Sequence, residues 1–178
     1  FLALAVVAGI SGGLGINKTA SVFTHGAAEL TGTALLIGFA RTIALLMEEG
    51  EILHTVVYAL ATPLSIAGSE LAAVGMLGVQ SVLNFFIPSG SGQALVTMPL
   101  MAPIGDLVGV SRQISVLAFQ MGDGLMNMIV PTNPVLMGIL GLASIPYERW
   151  FRFIYPLMIK LLIACAIALA TAVWIGYS

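Results

Sequence analysis

Apolar residues run through this chain in stretches long enough to cross a bilayer, and polar residues gather in short clusters between and inside them. Phe1 to Leu14 is apolar and ends at Ser11-Gly-Gly-Leu-Gly15, which predicts the tail of a spanning helix, and Lys18 then marks a water-facing connection. From Asn17 to Glu29, the residues Val22, Phe23, Ala27 and Leu30 recur at near-helical spacing around Thr24, His25 and Glu29. That pattern predicts a short amphipathic or half-inserted helix, with His25 as an interfacial polar residue. Thr31 to Met47 is a second apolar run, closed by Glu48-Glu-Gly-Glu51. Ile52 to Ser65 mixes His54 and Tyr58 with apolar residues and breaks at Pro63, which suits an interfacial connector.

Two runs, Leu71 to Ile87 and Ala94 to Val110, flank Asn84-Phe-Phe-Ile-Pro-Ser-Gly-Ser-Gly-Gln93. Each is roughly 25 Å long as a helix at 1.5 Å per residue. Pro88 lacks a donor N–H, and Gly90 and Gly92 make helix costly in entropy, so the chain is expected to turn there. Non-helical backbone at membrane depth is tolerated only where protein buries it or it lines a wet cavity. The stretch therefore predicts the tip of a re-entrant helical hairpin, with its mouth at Ser69, Glu70, Asp106 and Arg112. Gln80, Asn84 and Gln93 need partners when buried and are expected to face the other limb or the site.

A further helix starts at Ser111 and reaches Asn127, breaks at Val130-Pro-Thr-Asn-Pro134, and resumes from Val135 to Ala143. Two unwound turns bearing hydroxyls and amides within one membrane segment are the signature of a secondary transporter's binding site. Ile145-Pro-Tyr-Glu-Arg-Trp-Phe-Arg152 reads as an interfacial turn with aromatic and basic anchors, and Phe153 to Tyr177 as a final span. Arg149 and Arg152 favour the cytoplasmic side. Counting crossings then puts Lys18 inside, and the hairpin mouth, the end of the last helix and the Glu48–Glu51 loop outside.

Composition fixes the class. Of the 178 residues, 59% are hydrophobic and 8% charged, against about 25% charged in soluble domains, so this is an all-α polytopic membrane protein. A net charge of −2 with scattered basic residues argues against nucleic acid as a partner. The lone Cys165 excludes a disulfide framework and reads as a buried structural thiol. Because the chain opens on Phe1 in apolar sequence without a charged n-region, it is expected to be a piece of a longer transporter.

Two charges fall within apolar runs. Arg41 is expected to face the bundle interior, a cavity or an acidic partner, or else to snorkel to the headgroups. Asp123, in Gly122-Asp-Gly124, is suited to bind a coupling cation, carry a proton or recognise a cationic substrate group; the alternative is helix packing or capping.

Gln80-Ser-Val-Leu-Asn-Phe-Phe-Ile-Pro-Ser-Gly-Ser-Gly-Gln93, Met98-Pro-Leu-Met-Ala-Pro103, Leu117-Ala-Phe-Gln-Met-Gly-Asp-Gly124 and Ile145-Pro-Tyr-Glu-Arg-Trp150 carry a resemblance that runs over nearly the whole chain. It resembles the C-terminal half of the C4-dicarboxylate anaerobic carrier family, in its YfcC-like branch, within the ion transporter superfamily. The resemblance implies one inverted repeat: scaffold helices and a connector arm over residues 1–65, and a transport part over 66–178. That part would comprise the hairpin 69–110, the broken helix 111–143 and the final span 153–177. Ser89-Gly90-Ser91 takes the place of the Ser-Asn-Thr tip of divalent-anion/sodium symporters. The substrate and ion site implied is Asn84, Ser89, Gly90, Ser91, Gln93, Asp123, Asn127, Thr132 and Asn133, with sodium at Ser89, Ser91, Thr132 and Asn133.

Members are linked to dicarboxylates, to basic amino acids exchanged in arginine/ornithine antiport and, in a sister family, to aminobenzoyl-glutamate. Arg41 would pair with a carboxylate and Asp123 with a cationic amino acid. The expected protein is a secondary carrier of a bacterial inner membrane, without a cofactor other than coupling sodium or protons. Its partners would be the N-terminal repeat, lipid, the small-molecule substrate and a second copy in a homodimer. A rival reading is an intramembrane serine hydrolase using Ser91 within Gly90-Ser-Gly92, with His25 or His54 as base. A channel or a non-transporting membrane subunit is a third.

Overall fold

A computed structural model describes residues 2–178, apart from the side chains at 29, 33, 36, 37, 40, 41, 43 and 44. The Arg41 side chain, and with it the expected charge partner for substrate, lies outside the described residues. The chain folds as α1 (Leu2–Ser11), α2 (Gly15–Glu49), α3 (Ile52–Ala61), a 3-10 turn (Thr62–Ile66), α4 (Ser69–Phe86), α5 (Gly90–Val108), α6 (Arg112–Met126), α7 (Pro134–Leu142) and α8 (Tyr147–Trp174). No strand occurs among the described residues. Among the described residues, two helices, α4 and α8, are long and apolar enough to cross a membrane.

Three boundaries differ from the sequence expectation. The amphipathic segment at 17–29 and the apolar run at 31–47 are one continuous helix, α2. No proline interrupts it, and two of its threonines bond back to the preceding turn: Thr24 Oγ1 donates to Ala20 O at 3.1 Å and Thr31 Oγ1 to Ala27 O at 3.3 Å. The hairpin turn is also tighter than expected. Only Ile87 to Ser89 are non-helical, and Gly90 and Gly92 already belong to the first turn of α5, where the N–H groups have no intrahelical acceptors. Finally, the segment Tyr147 to Arg152 is not a turn but the start of α8. Pro146 stands at its N-cap, its carbonyl accepts from Arg149 N and Trp150 N, and Glu148 complements the helix dipole.

Helix α4 is the centre of the packing, with α5, α6 and α8 against it. Met76, Leu83, Met101, Ile114 and Leu169 fill the space between them and are fully buried. The α4–α6 crossing is close because position 122 is glycine: a Cβ there would stand 2.8 Å from Gln80 Cβ and 3.2 Å from Ser81 N. Helix α3 lays Leu53, Val57 and Ala61 on the bundle, one turn apart, and Leu64 of the 3-10 turn fills the space beside Gly75. A smaller cluster of Ile129, Val130, Ile154 and Met158 packs the α6–α7 interruption against the beginning of α8. At the open end of the α4–α5 hairpin, Ser111 Oγ donates to Tyr177 O at 2.7 Å, so this end and the last residues of the chain lie together. Arg112 and Asp106 form an exposed ion pair there at 2.9 Å.

Candidate functional site

The hairpin turn and the helix interruption meet. Pro88 ends α4 because it has no N–H to give to the carbonyl of Asn84, four residues earlier. Ser89, in extended backbone, caps α5 by accepting from Gly92 N at 3.4 Å. On the other side, Asn133 caps α7 through Oδ1, which accepts from Val135 N at 2.9 Å and Leu136 N at 3.0 Å. Thr132 Oγ1 donates to Phe85 O at 2.8 Å, so the interruption is tied to the last turn of α4. Carbonyls freed by unwinding find donors on α8: Tyr147 OH reaches Ile129 O at 2.6 Å and Trp150 Nε1 reaches Met128 O at 2.9 Å.

A chain of side-chain hydrogen bonds connects the two turns. Gln80 Nε2 donates to Thr97 Oγ1 at 3.0 Å, and Gln93 Nε2 donates to both Gln80 O and Gln80 Oε1, at 2.8 and 2.7 Å. Asn84 Nδ2 donates to Gln93 Oε1 at 3.1 Å and to Asp123 Oδ1 at 2.6 Å. Asn127 Nδ2 adds a second bond to Asp123 Oδ1 at 3.1 Å, and Asn133 Nδ2 donates to Asn127 Oδ1 at 2.6 Å. The hairpin half of this chain, Gln80, Asn84, Gln93 and Thr97, is at most 1% exposed, whereas Asp123 and Asn127 are half-buried. Buried amides so arranged are costly to disturb, because each removal strands a partner without water.

The amide orientations follow from the ends. The α7 N–H groups can only donate, so Asn133 turns its oxygen to them and its nitrogen to Asn127, which in turn donates to the carboxylate. Asp123 is thereby linked through two asparagines to the N-terminal end of α7. It also meets the N-terminal end of α5: a Cβ at Gly90 would stand 3.0 Å from Asp123 Oδ2. Glycine at 90 therefore admits the carboxylate to a helix end that favours negative charge.

Of the residues singled out from sequence, the structure brings Asn84, Gln93, Asp123, Asn127 and Asn133 into one hydrogen-bonded chain, with Gly90 beside it. Thr132 holds the turns together, and Ser89 is spent on a cap. Ser91 is exposed and makes no hydrogen bond among the described residues. Thr97 was missed, since one threonine on an apolar limb carries no signal until its partner Gln80 is known. Lys160 was missed as well: it lies exposed near the middle of α8, where apolar neighbours hide one charge from a reading by runs.

The family of C4-dicarboxylate anaerobic carriers matches residues 1–174. YfcC of Escherichia coli (strain K12), provisionally named a basic amino acid antiporter, is 42% identical over 188 aligned positions, covering 99% of this chain. An uncharacterized protein of Haemophilus influenzae (strain ATCC 51907 / DSM 11121 / KW20 / Rd) is 36% identical over 173 positions, covering 97% of the chain. The chain spans 37% and 34% of the length of these two relatives. No solved structure matches it significantly. With the match running through the hairpin, the interruption and α8 alike, this chain is an integral membrane protein that belongs to the C4-dicarboxylate anaerobic carrier family.

Proposed function

We propose that this chain forms the substrate- and ion-binding half of a secondary active carrier for a small carboxylate-bearing molecule, a C4-dicarboxylate or a basic amino acid. The observation that carries the reading is the hydrogen-bonded chain from Gln80 to Asn133, which joins the hairpin turn to the helix interruption at Asp123. Half-helix ends at such turns offer donors to carboxylates and carbonyls to cations, and two of them, the starts of α5 and α7, lie beside the chain. Both substrate classes share a carboxylate. The hairpin would be re-entrant, the carrier would sit in a bacterial inner membrane, and the rest of the site would come from an N-terminal repeat, with homodimers formed through scaffold helices.

The basic amino acid is favoured by Asp123, a half-buried carboxylate, and by the name of YfcC. The dicarboxylate is favoured by the family's description. A hydrolase reading has less support, because neither His25 nor His54 is hydrogen-bonded to the exposed Ser91. The test is uptake into proteoliposomes holding the full-length protein, with labelled arginine and labelled succinate, each with and without a sodium gradient, a proton gradient or ornithine inside. Accumulation of arginine against internal ornithine is the expected result. Absence of uptake for every carboxylate tried, in protein shown to be folded and inserted, would remove the carrier reading.

A further inference from the structure

Asn84 Oδ1 is a buried side-chain oxygen with no hydrogen-bond partner among the described residues. The residue itself is 0% exposed. Leaving such an acceptor unmade costs about 1–3 kcal/mol in a protein interior. Exchanging the amide's oxygen and nitrogen does not remove the problem. The main-chain carbonyl of Gln80 only accepts, so it fixes Gln93 Nε2, leaves Gln93 Oε1 facing Asn84, and requires Asn84 to present its nitrogen. Its oxygen must then face elsewhere.

Three further features belong to the same residue, its helix and its hydrogen-bond partner. The main-chain carbonyl of Asn84 has lost its helical donor to Pro88, so a second oxygen of the same residue lacks an intrahelical partner. Both lie in the last turn of the 18-residue helix α4, whose C-terminal end carries partial negative charge. The Asp123 carboxylate is 2.6 Å from the nitrogen of the same amide, and its Oδ2 makes no hydrogen bond among the described residues. Neutral oxygens, a helix C-terminal end and one carboxylate make a hard, singly charged ligand set.

We propose that Asn84 and Asp123 form a binding site for a small inorganic monovalent cation, of which sodium is the natural occupant. The proposal deepens the carrier reading and rests on it, as the ion would be the one whose gradient drives transport. It lies below the hairpin tip, on the α4–α6 contact, and apart from Ser91 and Thr132. A single negative charge in the set selects against a divalent ion. The enclosure of Asn84 selects against an organic ammonium group, which would have to bring its carbon chain with it.

The experiment is a thermal-unfolding titration of the full-length carrier in detergent with sodium, lithium, potassium or arginine, at ionic strength fixed with choline chloride. An ion bound only by the native state raises the melting temperature in a saturable way. Sodium is expected to do so, and Asn84→Val to weaken the apparent affinity at least about tenfold, since 1.4 kcal/mol of lost coordination corresponds to that factor. Should Asn84→Val not fold, Asp123→Asn gives the same reading, because it keeps the acceptor for both amides and removes the charge.

No saturable shift with any inorganic cation, or an unchanged sodium affinity in both Asn84→Val and Asp123→Asn, overturns the site. A shift with arginine alone also overturns it and gives the pair to substrate. Uptake measured on the same preparation separates the two readings: substrate accumulation without any cation response removes the ion site and keeps the carrier, while sodium binding without uptake of any carboxylate does the reverse.

Discussion

At the scale of single residues, the buried amides are where a small change has its largest expected effect. Gln93 is 0% exposed and holds three polar groups: the two oxygens of Gln80 and, through its own oxygen, the amide of Asn84; Thr97 is held one step further on, by Gln80. Gln93→Leu conserves volume roughly but strands Gln80 Oε1 and weakens the hold on Asn84. It should destabilise the protein by about 2–4 kcal/mol, as expected when one or two buried polar groups lose their partners. A thermal-unfolding comparison of Gln93→Leu with Ser91→Ala checks this, because the exposed Ser91 should leave the midpoint within error. If both variants melt with wild type, the hydrogen-bonded chain contributes little to stability. The candidate residues were legible in sequence because an amide inside an apolar run has to find a partner. Which amide bonds to which was not legible, since that depends on the register of α4 against α5 and α6, and registers are set by packing such as the Gly122 crossing.

At the scale of elements, the interruption between α6 and α7 is held by caps and by α8 as well as by its own short-range backbone bonds, such as Ile129 N to Met126 O and Asn133 N to Val130 O. Asn133 is the cap, and Tyr147 and Trp150 donate to the freed carbonyls. Asn133→Ala removes the cap, worth about 1 kcal/mol, and opens the bond to Asn127. Asn133→Asp keeps the cap but offers only acceptors to Asn127 Oδ1. Hydrogen exchange over residues 134–137 should therefore accelerate in Asn133→Ala and stay slow in Asn133→Asp, while uptake should fall in both. If uptake falls only where exchange accelerates, the residue acts through the helix end alone. Sequence placed this break correctly because Pro131, Asn133 and Pro134 are each strong local signals. It misjudged Tyr147 to Arg152 because aromatic and basic residues read as a membrane-surface turn, when two of those aromatics are donors to unwound backbone. The merged α2 has a similar cause: alternation of polar and apolar clusters suggested two segments, but nothing in residues 15–49 breaks a helix.

At the scale of the whole molecule, the exposed surface implies company. Lys160 stands near the midpoint of α8, eight residues and so about 12 Å along the helix from the interfacial Arg152 at 1.5 Å per residue, which is farther than its own side chain extends. Its exposed neighbours Phe153, Leu157, Ile163 and Ile167 are apolar, so that face meets either protein or a wet cavity around the charge, not lipid tails alone. The same helix sets the topology. Because Ser111 bonds to Tyr177, the open end of the hairpin and the end of α8 must lie on one side of the membrane, and the beginning of α8 on the other if α8 crosses it. Single cysteines at Gln113, Glu148 and Ser178, in a Cys165→Ser background of the full-length protein, test this with a membrane-impermeant maleimide on intact cells. Labelling at 113 and 178 together, with 148 protected until the membrane is opened, is the expected pattern, and it would put Arg149 and Arg152 inside as the excess of basic residues there demands. Labelling at 148 alone would invert the orientation but keep the hairpin. Labelling of 113 and 178 from opposite sides would mean that the open end of the hairpin does not share a surface with the chain's last residues, and the two turns at Asp123 would then need a different depth in the membrane.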